Sequence, residues 1–229
     1  MAEDKIKKTI IDTSKTLKPD MVAYRIVKEM DYLKIGETLE VIIKDNKGIL
    51  ADIKTFCDLT GHIFLGSEKK EENKQSLFIK KGEQKKNNNK MTVIISTARL
   101  EQVLLPFCKA LAAAVLGMEV NIVFEGAGVR LLKKDYHSKL SGFSGILFTG
   151  LVKKILKNQI GWPVPEETIA ILEDLGANFY ICGPSMPGFG VKEEELAVKK
   201  YIIAAIITTT NLLANSNIHI FSKAEFSRS

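Results

Sequence analysis

The sequence predicts an α/β protein with two domains, and three observations lead to this prediction. Of its 229 residues, 45% are hydrophobic and 26% are charged, which is typical of a folded globular protein. Strand-like and helix-like segments alternate along the chain, and this alternation favours sheets covered by helices. The polar stretch "GEQKKNNNK" at residues 82–90 interrupts the alternation and indicates a linker. We therefore predict one domain at residues 1–81 and a larger one at residues 91–229.

The first domain is predicted to be a two-layer βαβαββ sandwich, with one sheet and two helices. Strand "KKTIID" precedes helix "PDMVAYRIVKEMDYL", in which Pro19 suits the first helical turn. Strand "ETLEVIIK" and the amphipathic helix "ILADIKTFCDLTG" follow, with Gly61 as the expected C-terminal cap of that helix. Strands "HIFLGS" and "QSLFIKK" complete the order.

The second domain is predicted to be a mostly parallel sheet with helices on both faces. Its strands are "MTVIIST", "MEVNIVF", "ANFYIC" and "NIHIF", and the first of these is as apolar as a buried parallel strand. The expected helices are "LEQVLLPFCKALAAAVLG", interrupted by Pro106, then "PEETIAILEDLG" and the long "VKEEELAVKKYIIAAIITTTNLLA". Residues 135–162 show poor periodicity, so we expect part loop and part helix there. "GAGV" has too few glycines for a phosphate loop and is read as a tight turn.

Composition and charge argue against several classes of protein. The net charge is +6, and eight lysines lie between Lys69 and Lys90, but without interleaved aromatic residues they predict a solvated tether and no nucleic-acid partner. The longest apolar run, residues 201–214, is too short to span a membrane. Three scattered cysteines are too few for a disulfide framework. Because no secretory signal precedes the domains, we expect a cytoplasmic protein with reduced thiols.

Cys182 is the residue that the pattern singles out for chemistry. It ends a predicted parallel strand, and reactive groups gather at that edge of a sheet. Gly183 and Pro184 turn the chain there, and a helix starting near Val191 could stabilise a thiolate with its free N–H groups, although Glu193–Glu195 would oppose this. No histidine lies near in sequence, so the chemistry expected is attack on sulfur. The alternative is a small residue that merely packs.

From Met91 onward the chain resembles the DsrE-like family, in the branch related to the second DsrE-type sulfurtransferases. The segments "VPEETIAILEDLGANFYIC" and "CGPSMPGFGVKEEEL" carry the resemblance. The family's Cys-x-x-Ser-Met-x-x-x-Gly pattern falls on Cys182, Ser185, Met186 and Gly190. The resemblance implies a flavodoxin-like fold, a sulfur-carrying thiol at Cys182, homo-oligomers and no cofactor or metal. The apolar segment 201–213 would suit a subunit contact.

From Ile6 to Lys81 the chain resembles the TusA family of sulfur carriers, through "PDMVAYRIVKEM", "GETLEVIIKD" and "DIKTFCDLTGH". That family carries sulfur on the cysteine of a Cys-Pro dipeptide, whereas this chain has Lys18 before Pro19. A lysine cannot form a persulfide, so the resemblance implies a docking or oligomerisation role. Lys18 is expected to be a surface lysine; alternatively, it attracts an anionic sulfur species or an acidic partner.

The other two cysteines are expected to pack in the cores of their domains. Cys57 lies on the apolar side of a helix beside Phe56, and Cys108 follows Pro106 within a helix. Cys108 could act as a resolving thiol only if a kink at Pro106 brought it near Cys182.

The predicted function is sulfur relay, with Cys182 accepting sulfane sulfur as a persulfide or thiosulfonate, which would make the protein a possible sulfurtransferase. Gly183, Pro184 and Ser185 would shape the loop and supply hydrogen bonds. The partners would be donor and acceptor proteins or small sulfane-sulfur species. Two alternatives remain: a non-catalytic docking protein of a sulfur-transfer assembly, or a thiol redox switch.

Overall fold

The chain is divided by its internal contacts into two compact units. The structure is a computed structural model, and it describes residues 8–15, 18–70 and 73–223. Unit one contains the described residues up to Asn87 together with Ile155–Trp162. Unit two contains Asn88–Lys154 and the described residues from Pro163 onward. Strands and helices alternate in both units, as the sequence predicts.

Unit one has the predicted order βαβαββ. Its elements are β1 (Lys8–Asp12), α1 (Pro19–Met30), β2 (Thr38–Lys44), α2 (Lys47–Thr60), β3 (Ile63–Lys69) and β4 (Lys74–Lys80). The strands lie in the order β1-β2-β4-β3, with β1 parallel to β2 and the other neighbours antiparallel. Leu39, Val41 and Ile43 alternate along β2 and are fully buried, which places one face of the sheet against the core.

The ends of the two helices follow from their capping residues. Pro19 begins α1, as predicted, because its fixed φ suits a first turn whose N–H would be unpaired. The side chain of Asn46 accepts hydrogen bonds from the N–H groups of Gly48 and Ile49 and so caps α2. Gly61 ends α2 in the left-handed conformation, with a φ of 88°, which confirms the predicted cap.

Unit two is built on a five-stranded parallel sheet in the order β8-β7-β6-β5-β9. Its strands are β5 (Lys90–Ile95), β6 (Glu119–Phe124), β7 (Asn178–Cys182), β8 (Ile202–Ala204) and β9 (Ile218–Phe221). Its helices are α3 (Leu100–Val115), α4 (Phe143–Ile155), α5 (Pro165–Asp174), α6 (Ser185–Gly188) and α7 (Ile206–Ala214). The predicted mix of loop and helix over residues 135–162 is confirmed by α4 and the π-helical turn Leu156–Ile160.

The predicted interruption at Pro106 is wrong. Helix α3 runs without a break through Pro106, which is buried within it. Proline removes one backbone N–H donor, yet neighbouring turns of α3 hold Val103, Phe107 and Ala110 in the core. Tertiary packing of this apolar face therefore outweighs the lost hydrogen bond.

The predicted long helix that starts near Val191 is also wrong. The segment instead forms a short 3₁₀ helix at Glu193–Glu195, then β8, and only then α7. Ile202 and Ile203 are β-branched and extend the sheet beside β7. A helix could not supply those pairing groups to β7. No long helix therefore begins near Cys182 to stabilise a thiolate.

Candidate functional site

Cys182 is the last residue of β7 and lies at the carboxyl edge of the parallel sheet. Its side chain is half-buried and its thiol is free. Phe179 and Ile181 are fully buried on one face of β7, so the alternation of the strand directs Cys182 to the opposite face. Cys182 pairs with Ala204 of the edge strand β8. The thiol therefore lies at the sheet edge where parallel folds present reactive groups.

The loop after Cys182 is fixed by two hydrogen bonds. The N–H of Gly183 donates to the carbonyl of Ala204 at 2.9 Å, which extends the pairing to β8. The N–H of Gly126 donates to Ser185 Oγ at 2.9 Å. A Cβ atom on Gly183 would lie 3.0 Å from Ile203 Cγ2, so a glycine allows close packing here. The predicted loop residues thus hold the backbone around the sulfur.

The remaining predicted loop residues support the chain beyond this point. Pro184 precedes α6, and Met186 within α6 is buried. The carbonyl of Met186 accepts a 2.9 Å hydrogen bond from the N–H of Val191. Gly190 has a φ of 65°, a left-handed conformation in which glycine is favoured. These residues close the loop and return the chain to the body of unit two.

Basic side chains fasten the far end of the loop. Arg130 Nε donates to the carbonyl of Phe189 at 3.4 Å, and Lys133 Nζ donates to the carbonyl of Gly190 at 3.1 Å. Lys133 also pairs with Glu195 at 3.1 Å. A cavity of about 520 Å³ lies beside these residues. The two lysines that line the cavity already bind backbone carbonyls, and Lys133 also binds a carboxylate. Their charges are therefore engaged in contacts within the protein.

The glutamates after the loop have partners of their own. Glu193 Oε1 accepts a 2.7 Å hydrogen bond from the hydroxyl of Tyr201. Glu195 accepts one from the N–H of Lys192 at 2.9 Å. That bond, with the ion pair to Lys133, lowers the pKa of Glu195. Both carboxylates are therefore committed to these contacts.

Two polar residues at the same sheet edge were not predicted from the sequence. Glu125 follows β6 directly, and Ser96 follows β5. Ser96 Oγ donates to Glu125 Oε1 at 3.0 Å, and the N–H of Ser96 donates to Ser222 Oγ at 2.8 Å. Their position directly after two predicted parallel strands was the signal that could have found them.

"GAGV" forms no phosphate loop. Gly126 begins a 3₁₀ helix that runs to Leu132. A Cβ atom on Gly128 would lie 2.0 Å from the carbonyl oxygen of Ile95, so this glycine lets the segment cross closely over the end of β5. The sequence predicted a tight turn here, whereas the structure has a 3₁₀ helix, at the start of which the N–H of Gly126 donates to Ser185 Oγ.

The other two cysteines, Cys57 and Cys108, lie within helices. Cys57 is fully buried on α2, and burial, with a smaller effect of Asp58, raises the pKa of its thiol to about 12. Cys108 is half-buried on α3. All three cysteines lie in the described part of the chain, and no disulfide joins any of them there. Among the described residues, no group of histidine, cysteine and acidic side chains is arranged to hold a metal ion.

Lys18 is not the surface residue that the sequence predicts. Its side chain is only 11% exposed, and its Nζ lies 3.0 Å from the carboxylate of Asp20. The same Nζ lies 3.7 Å from the ring centroid of Trp162, also in unit one. Cation–π contact and the ion pair together hold the lysine at the start of α1.

Within residues 8–15, 18–70 and 73–223, no helix is both long and apolar enough to cross a membrane.

The chain is similar in part to one curated protein and to one solved structure. Over 78 residues the chain is 37% identical to the "Putative sulfur carrier protein YrkF" of Bacillus subtilis (strain 168), a match that covers 34% of this chain and 42% of that protein. The chain therefore spans less than half of this relative. A solved structure, the 16S rRNA N2 G1207 methyltransferase (RsmC) of T. thermophilus with AdoMet and guanosine, is 12% identical. The match covers 77% of this chain and 55% of that chain with a TM-score of 0.26, which is too low to indicate a shared fold.

The DsrE/DsrF-like family matches residues 89–221, which include the whole parallel sheet and the loop after Cys182. This match covers more than half of the chain, and the chain therefore belongs to the DsrE/DsrF-like family.

Proposed function

We propose that the protein is a sulfur carrier in which Cys182 accepts sulfane sulfur and passes it to an acceptor thiol. The observation that carries the proposal is the half-buried free thiol at the carboxyl edge of the family's parallel sheet. The loop of Gly183 and Ser185 would keep that thiol in place while partners exchange. The identity to a sulfur-carrier relative supports the same role.

The transfer itself needs no cofactor and no oxidant. The Cys182 thiol first gives its proton to solvent. The thiolate then attacks the outer sulfur of a donor persulfide, R–S–S⁻, so that a new S–S bond forms on Cys182 and R–S⁻ departs. In the second step an acceptor thiolate attacks the outer sulfur of Cys182–S–S⁻. The persulfide moves to the acceptor and the Cys182 thiolate is regenerated.

A thiosulfonate form follows from an oxoanion donor. With tetrathionate, the Cys182 thiolate attacks a central sulfur, Cys182–S–S–SO₃⁻ forms, and thiosulfate departs. Either form would make the protein a sulfurtransferase that works on a single thiol. Reduced cysteines and this chemistry fit a cytoplasmic protein.

The first unit would serve as a docking module in this proposal. Residues 1–81 would form a TusA-like domain, residues 82–90 a polar linker and residues 91–229 the DsrE-like domain. Residues 6 and 7, part of the resemblance, lie outside the described residues. Lys18 cannot carry sulfur, and Cys57 is fully buried. The first domain would then recognise a donor or acceptor protein while Cys182 performs the transfer.

Exposed isoleucines on unit two suit a contact between copies of the chain. Ile202 and Ile203 lie on the edge strand β8, and Ile206 and Ile207 at the start of α7 are 72% and 83% exposed. An apolar edge strand without charged residues is an open template for pairing, and a continuous apolar patch of this kind marks an interaction surface. Homo-oligomers through this surface would cover it.

The experiment that tests sulfur relay is intact-protein mass spectrometry after incubation with polysulfide, tetrathionate or thiosulfate. Wild type, Cys182→Ser and the matched control Cys108→Ser are compared. We expect a mass gain, reversible by reductant, in wild type and Cys108→Ser but not in Cys182→Ser. An adduct that persists in Cys182→Ser, or no adduct on folded wild type, would favour the docking protein. Loss of two hydrogens under mild oxidation would favour the redox switch.

A further inference from the structure

Glu125 lies beside Cys182 on the neighbouring strand of the sheet. Phe124 of β6 is paired in register with Ile181 of β7, so the next residues along the two parallel strands, Glu125 and Cys182, stand opposite each other. Neighbouring strands are about 4.8 Å apart. The carboxylate and the thiol therefore start from adjacent backbone positions.

The two side chains also leave the sheet on the same face. Phe124 and Ile181 are fully buried, and both point to one side because in-register residues of parallel strands share a face. Glu125 keeps the extended conformation, with φ −136° and ψ 167°, so the alternation continues through it. Glu125 and Cys182 therefore both point to the opposite side.

The position of Glu125 is fixed by its own hydrogen bonds. Its N–H donates to the carbonyl of Ile95 at 3.0 Å, which continues the ladder with β5. Its Oε1 accepts the 3.0 Å hydrogen bond from Ser96, and its side chain is half-buried. The carboxylate is thus a fixed charge at the sheet edge rather than a mobile surface group.

The basic residues of the site are committed elsewhere. Arg130 and Lys133 bind the carbonyls of Phe189 and Gly190, at the far end of the loop from Cys182. Lys133 also pairs with Glu195. Glu125 is the charged residue that the strand register places opposite Cys182.

From this geometry we propose that Glu125 determines which sulfur donors reach Cys182. Its negative charge disfavours donors that bring further negative charge, such as thiosulfate or tetrathionate. It favours neutral or singly charged sulfane-sulfur donors such as persulfides and organic polysulfides. The inference rests on the proposed function and narrows it to the persulfide form of the carrier.

The size of the effect follows from Coulomb's law. For a reagent whose charge comes within about 6 Å of the Glu125 carboxylate in water-like surroundings, each unit of reagent charge changes the rate about threefold. For two reagents that differ by two charge units, the ratio of their reaction rates should therefore be about tenfold larger in wild type than in a variant without the carboxylate.

The test uses two methanethiosulfonate reagents, one with an anionic 2-sulfonatoethyl group and one with a cationic trimethylammonioethyl group. In both, the Cys182 thiolate attacks the sulfenyl sulfur, a mixed disulfide forms and methanesulfinate leaves. Because both react with the same thiolate, a change in the thiolate population cancels from the ratio of their rates. All proteins in this test carry Cys108→Ser, so that the rate of Cys182 modification is measured without a contribution from Cys108.

The variant is Glu125→Gln, whose amide keeps the size of the side chain and an oxygen acceptor for Ser96. The matched control is Glu119→Gln, at the amino end of the same strand. We expect the ratio of cationic to anionic rates to fall about tenfold in Glu125→Gln and less than about twofold in Glu119→Gln. An unchanged ratio in Glu125→Gln, or an equal fall in both variants, would overturn the proposal.

A second arm uses sulfur donors and separates this inference from the relay itself. The rate of Cys182 modification by tetrathionate, relative to that by neutral dimethyl trisulfide, should rise about tenfold in Glu125→Gln. No such rise would overturn the role in donor choice. Failure of the relay would instead appear as the absence of persulfide transfer from Cys182 to an acceptor thiol. Neither the ratio of methanethiosulfonate rates nor the ratio of donor rates measures that transfer.

Discussion

Replacing Cys57 with valine should change how the stability of unit one depends on pH. The Cys57 thiol has a pKa of about 12 in the folded protein, against an ordinary value of 9.0, because burial and the neighbouring Asp58 disfavour the thiolate. A folded pKa above the unfolded value means that folding favours the protonated thiol. This contribution is complete below pH 9 and is lost as the pH rises from 9 towards 12.

The magnitude follows from the two pKa values. Between them, each pH unit removes up to about 1.4 kcal/mol of unfolding free energy. Relative to pH 8, the stability of wild type should therefore fall by about 1.4 kcal/mol at pH 10 and by about 2.6 kcal/mol at pH 11 through this thiol. Lysines and tyrosines also ionise in this range, but they are common to wild type and Cys57→Val. Their effects cancel in the difference between the two proteins.

Urea denaturation at pH 8, 9, 10 and 11 measures the difference. Trp162, the single tryptophan of the chain, lies in unit one, so its fluorescence follows the unfolding of that unit. We expect the advantage of wild type over Cys57→Val to shrink by the amounts above. A difference that stays constant from pH 8 to pH 11 would show that folding does not raise the pKa of Cys57, and would refute the reasoning.

Two further predictions concern unit two. Ser185→Ala removes the acceptor for the Gly126 N–H, and the loss of about 1 kcal/mol should make exchange of the Gly126 amide about fivefold faster. Ser185→Thr keeps the hydroxyl and serves as the control, and equal exchange in wild type and Ser185→Ala would contradict the prediction. The pair Ile206→Lys and Ile207→Lys should lower the molar mass measured by light scattering to that of one chain, with an unchanged circular dichroism spectrum. An unchanged mass would place the subunit contact elsewhere.

The sequence predicted helices and strands best where the spacing of apolar residues and the residues at the ends of an element indicate the same boundaries. Pro19 and Gly61 mark the ends of their helices because each restricts or permits one backbone conformation. Apolar runs such as "MTVIIST" and "MEVNIVF" identify the central parallel strands, because both faces of these strands are buried. The position of Cys182 at a strand end follows from the same reasoning.

The region after the cysteine could not be predicted in this way. The segment 191–214 is apolar and continuous enough to suggest one helix, but an edge strand at Ile202–Ala204 interrupts it. Whether isoleucines form a helix or a strand depends on a neighbouring strand with free pairing groups, which the local pattern does not contain. Glu125 was missed for a related reason, because its closeness to Cys182 follows only from strand order and register.

The contact between Lys18 and Trp162 bears on what a substitution at position 18 would change. The centroid of the indole ring lies 3.7 Å from Lys18 Nζ, and the carboxylate of Asp20 lies 3.0 Å from the same nitrogen. A Lys18→Cys substitution would remove the ammonium from the ring face and leave Asp20 without this cation. A substitution at position 18 would therefore act on the packing at the start of α1 and on the charge balance of Asp20, because the lysine connects an aromatic ring to a carboxylate.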